Sequence, residues 1–314
     1  MSILINIPRK IVESPTAPKE NLFFMRNIYD FFKSKNEQVD LSFIENENII
    51  LNNYKYKRFY LYHYISYDDN LPVKTIKVSS IKNFYWVDSL GYSKFSNFFK
   101  NINNHEDMIH EVNPGKASGY CRYLASMLSR NNFSKYQQPE QKKLLKNERK
   151  IVFIPLQVPG DQVLQNECSL IEFLDTSIKS IKSIDESIRI IVKIHPKCID
   201  ESLTKHCFKR ERENLIEIHN ESIHSIFLIC DFVITLNSGV GMEAMLQGIP
   251  VYGIGKSEYQ KFCAGNKLGF NVLSLNESDK RILIEQQYQF VYYLLNRILV
   301  HKDFVNDYLV KTTS

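Results

Sequence analysis

The second half of the chain predicts an α/β fold with a doubly wound parallel sheet, and two observations carry that prediction. Short apolar runs alternate with helical runs from residue 151 to residue 253, joined by brief connections. Ile151–Pro155 and Ile188–Ile194 are almost continuously apolar rather than alternating, as expected of strands buried on both faces.

The elements follow in order. Ile151–Pro155 reads as a strand, Cys168–Ser183 as a helix, Ile188–Ile194 as a strand and Glu201–Lys209 as a helix. Leu215–Ile218 is a strand, Ser222–Leu228 a short helix, Phe232–Leu236 a strand, Gly239–Gln247 a helix and Pro250–Gly253 a strand. The first half is less regular. Ile3–Ile7, Phe59–His63 and Thr75–Ser79 read as strands, and Asn21–Phe32 as a helix with Phe23, Phe24, Ile28, Phe31 and Phe32 on one side. Packing is the commoner reason for the aromatic content of this half, with sugar binding the alternative.

At 314 residues the chain suits two domains of roughly 150 residues each. A composition of 44% hydrophobic and 24% charged residues is that of a globular protein, and no apolar run is long enough to cross a membrane. The N-terminus lacks the basic lead and apolar stretch of a signal peptide, so a cytoplasmic location is expected, with the inner face of the membrane as a variant of it. Six cysteines without CxxC spacing predict free thiols; Cys121, Cys168, Cys230 and Cys263, in apolar or mixed runs, are the ones expected to be buried. A net charge of +5 suits anionic partners such as nucleotide sugars, acidic glycans or a membrane surface. The segment after Asn131-Asn-Phe-Ser-Lys-Tyr-Gln-Gln-Pro139 is expected to be the domain linker. The basic run Gln141–Lys150 is expected to be a solvated helix in that linker rather than a nucleic-acid tract.

Ligands in doubly wound sheets bind at the carboxyl ends of the strands, which singles out three loops. In Pro155-Leu-Gln-Val-Pro-Gly-Asp161, Asp161 is either a helix cap or a carboxylate presented to a ligand. In Lys193-Ile-His195-Pro196-Lys197, the proline stops the strand and leaves the imidazole between two lysines, a pattern that points to anion binding. In Asn237-Ser238-Gly239-Val-Gly241-Met-Glu243-Ala244, small residues open a helix whose backbone N–H groups suit a phosphate, and Glu243 suits a ribose. The last loop also spells Gly-x-Gly-x-x-Ala, a weak dinucleotide signal that does not open the first strand–helix–strand unit.

The set Gln157-x-x-x-Asp161, His195-Pro196 and Asn237-Ser238-Gly239-x-x-x-Glu243-Ala244, followed by Gly248-x-Pro250-Val251-x-Gly253, resembles the bacterial capsular polysaccharide biosynthesis glycosyltransferases. Among these it looks closest to the retaining β-Kdo transferases, which use CMP-Kdo. Asp88-Ser-Leu-Gly91-Tyr92-Ser93 looks like an N-terminal motif of the same proteins, with Asp88, Tyr92 and Ser93 on the acceptor side. The resemblance spans about residues 85 to 260 and implies two Rossmann-like domains in a GT-B-like arrangement. Residues 1–140 would bind the acceptor and 141–280 the donor, while 281–314, with its helical register over Ile284–Leu309, would form a helix packing across the junction. It also implies that Asp161 forms a covalent sugar ester. Glu111 is the candidate for a second carboxylate acting as general base.

The residues themselves suggest leaving-group stabilisation by Lys193, His195 and the amides near Ser238, and the resemblance implies that Gln157, Pro196, Lys197, Asn237, Gly239 and Glu243 complete the nucleotide site. No metal or other cofactor is expected, since Asp68-Asp69 has the wrong spacing for a DxD element and reads as a turn. The expected partners are a nucleotide-sugar donor and a glycan or glycolipid acceptor, with peripheral membrane contact and no nucleic acid. The alternatives are a CMP-sialic acid, other nucleotide-sugar or CDP-polyol transferase, a NAD-dependent oxidoreductase, and a non-catalytic nucleotide-binding module.

Overall fold

A computed structural model describes residues 2–13, 19–49, 51, 55–264 and 269–313. The chain forms two compact units, Met1–Asn104 joined by Leu294–Ser314, and His105–Tyr293. The division therefore falls well before the 140/141 boundary expected from composition. The helix Pro114–Arg130 explains the difference, because it docks on the second unit. Its Cys121 Sγ lies 3.7 Å from the carbonyl of Tyr288, and Gln247 Nε2 donates to Ala125 O at 3.4 Å.

The first unit holds six strands: β1 (Ser2–Asn6), β2 (Gln38–Ser42), β3 (Arg58–Tyr62), β4 (Val73–Val78), β5 (Phe84–Asp88) and β11 (Val300–His301), numbered along the chain. They lie in the order β11-β5-β4-β3-β1-β2. β2, β1, β3 and β4 run parallel; β5 pairs antiparallel with β4, and β11 pairs antiparallel with β5 and so runs in the direction of the other four. β5 reverses direction because a tight turn follows β4: Ser79 N donates to Phe84 O at 2.9 Å and Asn83 takes a φ of 70°. The helix Lys19–Ser34 buries Phe24, Met25, Ile28 and Phe32, which share one face at a 3.6-residue period. Phe23, expected on that face, lies about 100° round the helix and is 53% exposed.

The second unit holds β6 (Ile151–Pro155), β7 (Arg189–Lys193), β8 (Glu217–Ile218), β9 (Phe232–Thr235) and β10 (Val251–Gly253), all parallel in the order β10-β9-β6-β7-β8. The chain moves from β6 outward to β8, returns to the other side of β6 and continues to β10. This is the doubly wound topology, with its switch point between β6 and β9. All five residues of β6 are buried, as its unbroken apolar run requires. The helix Leu170–Ile184 closes one side through Leu170, Phe173, Leu174, Ile178 and Ile181.

Three expectations are corrected here. Residues 141–150 form no helix; Lys142 N donates to Ser225 Oγ, and Lys146 and Ile151 N both bond to the carboxylate of Asp231. Residues 281–314 are not one helix. Glu277–Tyr293 is helical and belongs to the second unit, whereas β11 pairs with β5 and the helix Val305–Thr313 buries Val305 and Leu309 in the first unit's core. All six cysteines are free, but Cys168 is exposed, because it precedes the Ser169 cap rather than lying on the buried helix face. Among the described residues no helix is long and apolar enough to cross a membrane.

Candidate functional site

The switch point is closed by two side-chain amides. Gln157 follows β6 and Asn237 follows β9, and both are almost fully buried. Gln157 Nε2 donates to Asn237 Oδ1 at 2.8 Å. Asn237 Nδ2 donates to Val163 O at 2.6 Å and to Lys256 O at 3.2 Å. These amides fasten the loops after β6, β9 and β10 to one another and so shape the floor of the switch point.

Above that floor starts the helix Gly239–Leu246. Ser238 caps it, with Oγ accepting from Val240 N at 3.3 Å, while its own N–H donates to Thr235 Oγ1 at 2.9 Å. Tyr259, buried, donates its hydroxyl to Ser238 O at 2.7 Å. That contact explains Gly241, where a Cβ would stand 2.8 Å from the Tyr259 hydroxyl and 3.2 Å from Thr235 Cγ2. Gly241 thus serves packing, and the Gly-x-Gly pattern needs no dinucleotide to account for it. Glu243, one turn into the helix, is only 6% exposed. Burial pushes its carboxyl up to about 8, against the pull of the Ser134 hydroxyl and the Lys135 ammonium beside it. At pH 7 it is mainly a carboxylic acid, able to donate as well as accept.

His195 lies just beyond β7. Its Nδ1 accepts from Lys197 N at 3.1 Å, so the neutral ring carries its proton on Nε2 and offers a hydrogen-bond donor. Burial is the main force holding the imidazole down to about 4. Lys135, Lys197 and Lys193 act in the same sense, and Asp161 opposes them. Tyr136 packs edge-on against the ring at 4.8 Å between centroids. The ammonium groups of Lys197 and Lys135 lie 5.2 Å and 5.7 Å from the centre of the Tyr136 ring.

The remaining expected residues divide. Asp161 is exposed and caps the short turn Gln162–Leu164, with Oδ1 accepting from Val163 N at 3.2 Å. The cap reading is therefore satisfied, while its charge still acts on His195. Pro196 and Lys197 are exposed and Gly239 half-buried. Lys193 points elsewhere: its Nζ donates to Asn220 O at 3.0 Å and Glu221 O at 2.6 Å, which ties its charge to the end of β8. Glu111 is exposed in the turn before the helix Pro114–Arg130, and among the described residues no bond or ion pair joins it to this cluster.

In the first unit, Asp88 is a loop anchor: its Oδ1 accepts from Leu90, Gly91 and Asn97 N–H groups at 2.8, 3.1 and 2.8 Å. Tyr92 is buried with its hydroxyl 2.6 Å from His63 Nε2, and Ser93 takes a φ of 50°. Asp68 shapes its own turn by accepting from Asn70 N, and Asp69 pairs with Lys100. Sequence reasoning missed Ser134, Lys135 and Tyr136, which it placed at the edge of a linker. The one signal was a cation beside an aromatic residue in a segment without periodicity.

Residues 65–265 match the family described as "Capsule polysaccharide biosynthesis protein", well over half of the chain. The chain belongs to that family. No curated protein matches it in sequence. Among solved structures it is similar to the β-Kdo 2,4 transferase of Thermosulfurimonas dismutans KpsC, with a TM-score of 0.55 at 12% identity over 91% of this chain and 89% of that one. It is also similar to the β-Kdo 2,7 transferase of the same KpsC, with a TM-score of 0.53 at 15% identity over 100% of both chains. These likenesses identify a GT-B-like fold of two Rossmann-like units.

Proposed function

We propose that this capsule-biosynthesis family member is a glycosyltransferase that moves an acidic sugar, Kdo from CMP-Kdo, onto a glycan or glycolipid. The carrying observation is the cluster at the switch point of the second sheet. A capped helix N-terminus, a protonatable Glu243, the Nε2–H of His195, Lys197 and the exposed carboxylate of Asp161 follow neighbouring strands, and Lys135 joins them from the irregular segment 131–141. A nucleotide phosphate suits the helix N-terminus and the lysines, and a ribose suits Glu243. The Nε2–H of His195 then faces charge that grows on the leaving phosphate.

The reaction begins with attack of the Asp161 carboxylate on the anomeric carbon. The bond to the phosphate oxygen breaks and CMP departs with the electron pair. An acceptor hydroxyl next displaces Asp161 and gives its proton to a base, restoring the starting configuration. Phosphate charge is met here by lysines, imidazole and backbone amides, so turnover should be unaffected by EDTA. Strict rescue by Mg²⁺ or Mn²⁺ would show that a metal site has been missed.

The decisive experiment is intact-protein mass spectrometry with donor and no acceptor. The wild type should gain one sugar, which Asp161→Asn should not, while that variant still binds CMP. Near-full activity in Asp161→Asn would reduce Asp161 to its cap, since Asn caps about as well as Asp. A product of inverted configuration would exclude the two-step mechanism.

A further inference from the structure

Residues 131–141 have no regular secondary structure, yet they are fastened at many points to elements about 80 to 90 residues further along the chain. Ser222 Oγ donates to Asn132 Oδ1 at 2.6 Å, and Ile223 N to Gln138 Oε1 at 3.1 Å. His224 Nε2 lies 2.9 Å from Phe133 O, Asn132 Nδ2 donates to Pro139 O at 2.6 Å, and Gln141 bonds to Ser129 O. Ordering a residue's backbone costs about 1–2 kcal/mol, and a linker has no reason to bear that cost over the eleven residues 131–141. This strap delivers three consecutive side chains to the switch point: Ser134 and Lys135 to Glu243, and Tyr136 to His195.

Charge at the cluster is unbalanced. Lys135 and Lys197 both stand beside the Tyr136 ring. Among the described residues neither forms an ion pair with an acidic side chain, and Glu243 is mainly uncharged at pH 7. Cation–π attraction to one ring is worth about 0.5–1 kcal/mol per exposed site and neutralises neither charge, and the exposed Asp161 carboxylate near His195 offsets at most one of the two. An anionic ligand would supply the missing charge.

We propose that Lys135 and Tyr136, carried on the pinned 131–141 strap, are anion-recognition residues of the donor site. With Lys197 they take the phosphate of an anionic ligand. Tyr136 fixes the His195 ring edge-on and spaces the two cations; Lys135 meets the phosphate between Glu243 and His195. This inference rests on the donor reading above, and the experiment separates the two.

Calorimetric titrations with CMP and with cytidine, which lacks the phosphate, are compared for the wild type, Lys135→Gln, Lys135→Arg and Tyr136→Leu. Lys135→Gln should weaken CMP at least tenfold and cytidine less than twofold, and Lys135→Arg should recover most of the CMP affinity. Tyr136→Leu should likewise weaken CMP more than cytidine. Unchanged CMP affinity in Lys135→Gln would overturn the inference and leave the donor reading standing. Equal losses for CMP and cytidine would also overturn it, by showing a structural role. A wild type that binds neither compound would sink the donor reading and this inference together.

Discussion

Two residues of the site titrate far from their ordinary ranges, and the signs differ. Glu243 is held protonated by burial up to about pH 8, whereas an unfolded glutamate loses its proton near 4.5. Between those values the folded state holds one more proton than the unfolded state, so this group's contribution to stability falls as pH rises through that window. Glu243→Gln removes the dependence. Its melting temperature relative to wild type should climb by at least about 2 °C between pH 5 and pH 8.5. A constant difference would show that the carboxyl is ionised in the fold. His195 behaves oppositely, because burial with Lys135, Lys197 and Lys193 around it, against Asp161, holds its proton affinity down to about 4. Its contribution to stability is lost as pH falls from about 6.5 toward 4. His195→Ala should lower turnover at least about tenfold, or about 1.4 kcal/mol in the barrier, with melting at pH 7 little changed. A large drop in melting temperature with activity retained would make this histidine a structural residue.

At the scale of elements, the loops around the switch point depend on one small side chain. Asn237, in the loop after β9, bonds to Gln157 and Val163 in the loop after β6 and to Lys256 in the loop after β10. Asn237→Ala would leave the Val163 and Lys256 carbonyls and the buried Gln157 amide without it, and should cost about 1–3 kcal/mol in urea denaturation. A loss below about 0.5 kcal/mol would show that the loops hold without this latch. The strands and helices of the second unit were legible in the sequence. Central parallel strands are apolar on both faces, and Leu170–Ile184 repeats its apolar residues at the helical period. The strap was not legible. Its order comes from bonds to Ser222, Ile223 and His224, and no local pattern in residues 131–141 encodes partners that distant.

For the whole molecule, the path of the C-terminus matters most. Residues 294–314 complete the first unit, where Val300, Val305 and Leu309 lie in the core with Ile3, Phe24 and Tyr85. Deleting 294–314 should speed amide exchange in β4 and β5, because β5 loses its neighbour β11, and should leave β6, β7 and β9 protected. Loss of protection in β6 and β7 would mean that the second unit cannot hold its sheet without that segment. A period-based reading sees Ile284–Leu309 as one helix because each part has apolar residues at helical spacing. The α-helix passes after Tyr293 into a π turn over Leu294–Ile298, and the pairing of Val300 with Tyr85, far away in sequence, then commits the chain to a strand.

By itself the sequence determined the α/β class, the parallel order of elements in the second unit and the three loops that follow β6, β7 and β9. Each of these follows from local periodicity or from residues at strand ends. It also held the motifs that place the chain in its family. Only the tertiary structure decided which of the singled-out residues are committed to partners within the protein. Gln157 and Asn237 satisfy each other, Lys193 is taken by two carbonyls and Asp88 by three amides, while Lys135 and Tyr136 arrive from a segment with no pattern of its own. The reason is physical: a polar side chain is committed by the nearest buried group that needs a partner, and that neighbour is set by folding rather than by spacing along the chain.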